Sequence, residues 1–336
     1  MQPLISVIVS SYNRADLLAM MIESIIQQTY SYWELIIVDD GSLDEQKESI
    51  EHFLKNDKRI RFYNRKSKRS GAQVCRNEGF EYSKGDFVVF FDSDDLIAPY
   101  CLEQRVQFML RNDSIDFAIF PAIKFSQEIN LNDKPIFGVS LNNKLFESFL
   151  RREYQFVVWT NVYRRQSLVE NNIKWDEKIL VFQDFDFNIT TMLNSLSFKF
   201  SNLKPDYFWR RHNNDSSKVN SPEKLNSTIY LCEKIIFQFK KHQLYDLYKK
   251  DIKYYLQSFF TLYLKNTDIN ITKRLFDLYI DNFSDLLNTY KLKILLTLKY
   301  TYNFNSKFIS LLFTIFFPFQ GIHMAFQYIN KFFSGK

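Results

Sequence analysis

Residues 88–97 read VVFFDSDDLI, an apolar run that delivers the chain into Asp92, Asp94 and Asp95. Three carboxylates within four residues repel one another. Burial adds to the cost, because desolvation and like charge both disfavour ionised Asp. A hard divalent cation removes that repulsion. Mg²⁺ is typically held by one or two carboxylates together with substrate phosphates, so Asp92 and Asp94, one residue apart, make a candidate grip that would bring a diphosphate with it. A turn that only N-caps the helix beginning near Pro99 needs one Asp, not three.

Four other stretches carry groups able to do chemistry. In VDDGS, Asp39 and Asp40 can accept hydrogen bonds from a ribose hydroxyl or a base N–H, or can fold into an Asx-type turn that reverses the chain at Gly41. In RSGAQVCRNEGF, Arg76 can pair with a carboxylate or a phosphate, or can lie on the surface. That stretch lacks the G-K-[ST] of a P-loop. In FQDFDF, Asp184 and Asp186 are flanked by Phe182, Phe185 and Phe187. Aromatic surroundings raise a carboxylate's pKa towards the range of a general base, although acids at a helix start are also favoured by the macrodipole. In YFWRRHNNDSS, His212 can bind a metal or a phosphate, but a lone His is more often structural.

The elements that position these groups follow from periodicity. LISVIV (4–9) is a short β-rich run ending in the turn SSYN, and Leu17, Leu18, Met21, Ile22 and Ile25 have helical spacing. WELIIVDDGS is a second strand ending in acid. A charged helix over 44–56, a strand IRFYN and a helix over 71–83 lead to the strand DFVVFFDSDD. The strands are apolar throughout and alternate with helices, which implies a mostly parallel sheet covered on both faces. In such sheets ligands bind beyond the carboxyl ends of the strands, so the SSYN, DDGS and DSDD turns are expected to converge on one site. Further on, CLEQRVQFMLRN reads as a helix with Pro99 in its first turn. DFAIF reads as a strand, NNKLFESFLRR as a helix, and FVVWTNVYRRQSL as a strand passing into a helix. VFQDFDFNITTMLNSL starts a helix with acids at its N-terminus. Amphipathic helices are expected from 221 to 264 and from 271 to 300.

Composition bounds the rest. With 336 residues, 46% hydrophobic and 24% charged, the chain can bury a substantial core. Its net charge of +6 is uneven: residues 216–336 hold 17 Lys/Arg against 8 Asp/Glu. A basic, aromatic-rich second part fits an anionic membrane surface or a solvated helical face. It carries no recognised nucleic-acid module. Cys75, Cys101 and Cys232 have neither metal-ligand spacing nor a disulfide framework, which fits a reducing cytosol. The start has no basic n-region of a signal peptide, and FISLLFTIFFPF (308–319) is too short to cross a bilayer and is broken by Pro318. These features predict a cytoplasmic protein at or near the inner face of the membrane.

Taken in order, PLISVIVSSYN, WELIIVDDGS, SGAQVCRNEGF, FVVFFDSDDLI, FQDFDF and YFWRRHNNDSS resemble the inverting family 2 glycosyltransferases of GT-A fold, over roughly residues 3–215. The resemblance implies a nucleotide-diphosphate sugar donor, a divalent metal (Mn²⁺ or Mg²⁺) and a glycan or lipid-linked glycan acceptor. It places Ser11, Tyr12 and Asp39 or Asp40 at the nucleoside, with Arg76, Asp92 and Ser93 completing the nucleotide-sugar site. Asp92 and Asp94 match the family's DxD motif, Asp94 as the direct metal ligand, and His212 falls where many members carry a His near diphosphate and metal. Asp184 matches the base that deprotonates the acceptor hydroxyl. Ser10 stands where many members have Pro. Gln183 stands where the family usually has Glu, which removes a charge near the acceptor. The expected architecture is a catalytic domain over 1–220 and a helical basic/aromatic region over 221–336. Two other classes share these features: a sugar-nucleotide nucleotidyltransferase, against which SSYNRADLL lacks a glycine, and a non-enzymatic membrane scaffold with a degenerate transferase domain.

Overall fold

A computed structural model describes residues 2–140, 143–211, 221–263 and 269–286, which fall into two compact units, residues 1–149 with 153–217 and residues 150–152 with 218–336. The first unit is built on strands β1 (Ile5–Ser11), β2 (Trp33–Asp39), β3 (Ile60–Asn64) and β4 (Phe87–Asp92), separated by helices α1 (Ala15–Ile26), α2 (Asp44–Asn56) and α3 (Ala72–Tyr82). These strands lie side by side in the order β3-β2-β1-β4, all parallel. Every residue of β1 and β2 is buried, as expected for parallel strands covered on both faces. On α1 the buried residues Leu18, Met21, Ile22 and Ile25 form one stripe. Gly79 lets α3 lie against β1, because a Cβ there would come within 2.5 Å of Ile8 Cγ2.

Beyond β4 the chain adds β5 (Leu96–Ile97), α4 (Cys101–Arg111), β6 (Phe117–Ile119), β7 (Ala122–Phe125) and α5 (Leu145–Leu150). It continues with β8 (Asn161–Arg164), α6 (Arg165–Glu170), α7 (Gln183–Leu193), β9 (Phe198–Phe200) and β10 (Tyr207–Arg210). The main sheet continues as β4-β8-β6-β9, with β8 antiparallel to both of its neighbours. A separate three-stranded sheet, β5-β10-β7, stands beside the end of β4. The segment read as one strand entering a helix begins instead with a 3-10 turn, Val158–Thr160. Pro99 lies ahead of α4 rather than in its first turn, and its carbonyl accepts the Thr29 N–H at 2.9 Å.

One ion pair fastens the small sheet to the core. The Arg105 guanidinium on α4 meets both oxygens of Asp206 at 2.7 and 2.9 Å, with both side chains fully buried, and also donates to the Trp159 and Asn161 carbonyls at 3.2 Å. Asp206 immediately precedes β10, so this pair sets where β10 begins.

The second unit holds α8 (Pro222–Lys241), α9 (Tyr245–Tyr263) and α10 (Ile269–Phe283). Ser221 caps α8 through the Lys224 N–H, with Pro222 at the first helical position. Leu225, Ile229, Cys232, Ile236 and Phe239 recur at spacings of three and four and are buried, as are Tyr255 and Phe259 of α9 and Tyr279 and Phe283 of α10. Of the lysines that suggested a basic surface, Lys240, Lys249 and Lys253 donate to Asn282, Asp285 and the Leu286 carbonyl at the end of α10. No helix among the described residues is long and apolar enough to cross a membrane. FISLLFTIFFPF and the expected helix beyond 286 lie outside the described residues.

Removing one partner of a buried ion pair strands the other charge. Arg105→Met is therefore expected to cost about 3–5 kcal/mol in urea unfolding. The double variant Arg105→Met/Asp206→Leu is expected to recover most of that loss. A double variant as unstable as the single one would show that packing, not the stranded carboxylate, sets the cost.

Candidate active site

The parallel register brings the acidic turns together. Ser11 is paired with Asp39 across β1 and β2, and Ser10 with Asp92 across β1 and β4. Three strands thus end at one level, and a cleft of about 740 Å³ opens beyond them. Ser11, Tyr12, Asp40 and Arg76 form part of one wall, with Asp92, Ser93 and Asp94 beneath. Asp184, from the first turn of α7, reaches the same cleft. The apolar part of its lining is Phe137, Val157, Trp159 and Trp209. Of the residues expected at the site, Ser11, Tyr12, Asp40, Arg76, Asp92, Ser93, Asp94 and Asp184 all line this cleft. His212 lies outside the described residues.

The two acids of VDDGS have different surroundings. Asp39 is turned into its own loop: its carboxylate accepts the Gly41 and Ser42 N–H groups at 2.9 and 2.7 Å and the Ser42 hydroxyl at 2.5 Å. Asp40 faces the cleft. It pairs with Arg65 at 2.5 Å and accepts the Gly71 N–H at 2.8 Å. Gly71 holds φ +123, a backbone conformation that side-chain-bearing residues rarely adopt, and this aims its N–H at Asp40 just before α3 begins.

Arg76 is the buried counter-charge. Its guanidinium donates to Asp92 at 2.6 Å and to Gln183 Oε1 at 3.1 Å, and it lies 4.5 Å from the centre of the Trp175 ring. Asn77 holds Trp175 in place, accepting its N–H at 3.0 Å and donating to its carbonyl at 2.9 Å. Trp175 in turn stacks on Phe187 of α7 at 4.5 Å. Gln183 therefore joins α7 to α3 twice, since its amide also donates to Gln73 at 2.7 Å. Phe182, just before α7, adopts left-handed backbone angles (φ 61). For a bulky residue this is a strained conformation of the kind found at functional sites.

The carboxylates of Asp92, Asp94 and Asp95 offer ligand atoms that all lie within 4.8 Å of one another. An all-oxygen set this close fits a hard divalent cation, but the three are not equivalent. Asp95 is buried and committed to the loop: it accepts the Tyr207 hydroxyl at 2.7 Å and the Arg210 N–H at 2.7 Å. Burial pushes its carboxyl well above the usual range, and Asp92 and Asp94 push it further. Asp92 uses one oxygen for Arg76, and its carboxyl is raised by burial, partly offset by Arg76. Asp94 pairs with Arg14, and its carbonyl accepts from Arg210 at 2.7 Å. Asp92 and Asp94, which both line the cleft, are the two that could hold a metal.

Asp184 carries no hydrogen bond from any described residue. Burial raises its pKa to about 6, opposed by Arg76 and assisted by Asp92. It is therefore a carboxylate with open oxygens, poised close to neutrality. Sequence reasoning missed Arg14, Lys124, Tyr207 and the apolar wall. Arg14 was legible as the cation directly after the SSYN turn. Lys124 and Phe137 sit in no motif.

The Tyr207 hydroxyl also accepts the Asp92 N–H at 3.1 Å, so one phenol binds both ends of the acidic loop. Tyr207→Phe is expected to cost about 1–3 kcal/mol in unfolding and to speed amide exchange at residues 92–95. Unchanged exchange there would show that the loop is held by other contacts.

The profile of Glycosyl transferase family 2 matches residues 6–172. The uncharacterized glycosyltransferase YibD of Escherichia coli K12 is 30% identical over 222 residues, covering 64% of this chain and 63% of that protein. TuaG of Bacillus subtilis 168, a glycosyltransferase whose name places it in teichuronic acid biosynthesis, is 38% identical over 109 residues, 32% of this chain and 43% of its own length. The chain therefore spans less than two thirds of either relative. Among solved structures, Staphylococcus aureus TarS 1-349 in complex with UDP-GlcNAc superposes with a TM-score of 0.62 at 19% identity, covering 84% of this chain and 81% of that one. That likeness is one of fold.

Proposed function

Because the chain carries a glycosyl transferase family 2 domain, we propose that it moves a sugar, hexose or N-acetylhexosamine, from a UDP-sugar to a hydroxyl of a glycan or lipid-linked glycan in cell-surface polysaccharide synthesis, with inversion at the anomeric carbon. The observation that carries the reading is Asp184: an open carboxylate with a pKa raised to about 6, lining the same cleft as Asp92 and Asp94. The UDP donor is supported by the fold shared with TarS, whose structure holds UDP-GlcNAc. The cell-surface role is supported by the likeness to TuaG.

The residues divide the work. Ser11, Tyr12 and Asp40 line the wall where the nucleoside would lie, and Asp39 holds their turn. Asp92 and Asp94 would hold a divalent cation, which supplies positive charge to the departing diphosphate. Arg76 offsets part of the cost of burying the Asp92 carboxylate and holds it in place. Asp184 accepts the proton of the acceptor hydroxyl while that oxygen bonds to the anomeric carbon, as the bond from that carbon to the diphosphate breaks. One displacement completes the transfer, with no covalent sugar–enzyme intermediate. A decayed scaffold would have no need of an open carboxylate held near neutrality beside two strand-end acids.

A base must be deprotonated to act. Since Asp184 is protonated below about pH 6, kcat/KM is expected to rise with pH through about 6 and then level. Asp184→Asn is expected to lower kcat by about 10²–10⁴-fold, to abolish that acid limb and to leave UDP binding intact. Near wild-type transfer by the variant, assayed with radiolabelled UDP-sugars, would remove Asp184 from the mechanism.

A further inference from the structure

Arg14, Arg76 and Arg210 spend their charge on the acidic loop, but two other cations at the cleft do not. Among the described residues no carboxylate pairs with Lys124 or Arg211. Their placement follows from strand register. β7 and β10 run parallel, with Lys124 opposite Trp209 and Phe125 opposite Arg210. The Arg211 N–H then continues the ladder to the Phe125 carbonyl at 2.8 Å. Side chains alternate along a strand, so Lys124, Trp209 and Arg211 share one face, while Arg210 lies 4.6 Å over the Phe125 ring on the other. The Lys124 ammonium is 5.7 Å from the centre of the Trp209 ring, within cation–π range.

This face lies where two clefts meet. Lys124 and Arg211 line the 740 Å³ cleft that contains Asp184, and also a second cleft of about 410 Å³ that adds Lys134. The second cleft holds two carboxylates, Glu128 and Asp133, and Asp133 accepts a hydrogen bond from Asn130 at 3.0 Å in its own loop. Lys124, Lys134 and Arg211 thus outnumber the two carboxylates of the second cleft. An aromatic ring takes the apolar face of a sugar, and two cations beside it with no carboxylate partner among the described residues take an anionic oxygen group.

Resting on the glycosyltransferase reading, we propose that Lys124, Trp209 and Arg211 form the acceptor subsite, and that the acceptor is an anionic glycan whose phosphate or carboxylate sits on this pair while its reacting hydroxyl reaches Asp184. The nucleotide diphosphate belongs to the Asp92–Asp94 end of the cleft, where the strand-end acids would hold the metal. Lys124 and Arg211 thus select the acceptor rather than the donor.

The test compares octyl glucoside, octyl glucuronide and the octyl phosphodiester of glucose 1-phosphate as probes, with binding followed by ligand-observed NMR at low salt. UDP with Mn²⁺ is titrated separately by calorimetry. At least one anionic probe is expected to bind about tenfold more tightly than the neutral one, a preference of about 1.4 kcal/mol, and the better of the two identifies phosphate or carboxylate. Lys124→Gln/Arg211→Gln is expected to erase the preference, Lys124→Arg/Arg211→Lys to keep it, and UDP affinity to change less than about threefold in both. Equal binding of all three probes to the wild type would overturn the proposal. So would a parallel loss of UDP and anionic probes in the Gln variant, which would assign the cations to the donor. A wild type that does not bind UDP with Mn²⁺ would instead sink the UDP-sugar transferase reading, and the octyl series would still decide the anion preference.

Discussion

Three carboxylates at the end of one buried strand are tolerable only if positive charge comes to meet them, and the organisation of the first unit follows from that constraint. Arg76 meets Asp92 from α3, Arg14 meets Asp94 from the turn after β1, and the backbone N–H of Arg210 with the Tyr207 hydroxyl meets Asp95 from β10. Each cation or donor arrives on a different element. The loop is therefore a point through which the parallel half of the sheet, α3 and the small sheet are tied together. Asp95 is spent on the fold, whereas Asp92 and Asp94 keep oxygens towards the cleft.

The same economy explains why aromatic residues crowd the site. A guanidinium taken out of water needs partners for its flat faces as well as its N–H groups. Trp175 supplies one such face to Arg76 and stacks in turn on Phe187, one turn along the helix that carries Asp184. Asp184 and Arg76 are thus held by one packed stack. Gln183 bonds to Arg76 without adding a negative charge. Arg76 therefore directs its charge to Asp92 and, more distantly, to Asp184, which limits how far burial can raise the Asp184 carboxyl.

Much of this was legible in the sequence because the relevant signals are local. Apolar runs ending in acid marked β1, β2 and β4, and parallel pairing made their ends converge. The aromatic flanks of Asp184 announced a raised pKa. What could not be read was non-local. β5, β7 and β9 are two to four residues long, too short for a periodic signal, and they exist because other strands offer edges. Asp39 and Asp40 are adjacent and chemically identical, and only the loop geometry decides that one folds into its turn while the other faces the cleft. Phe137, Val157 and Trp159 gather into a wall from a stretch with no chemical motif.

On the proposed function, the negative charge at the end of β4 is completed by a divalent cation shared with a nucleotide. Calorimetric titration of UDP with and without Mn²⁺, in the wild type and in Asp94→Ala, tests it most directly. Mn²⁺ is expected to tighten UDP binding at least about tenfold in the wild type, and Asp94→Ala to keep the metal-free affinity while losing the increment. An equal Mn²⁺ increment in the variant, or none in the wild type, would contradict it.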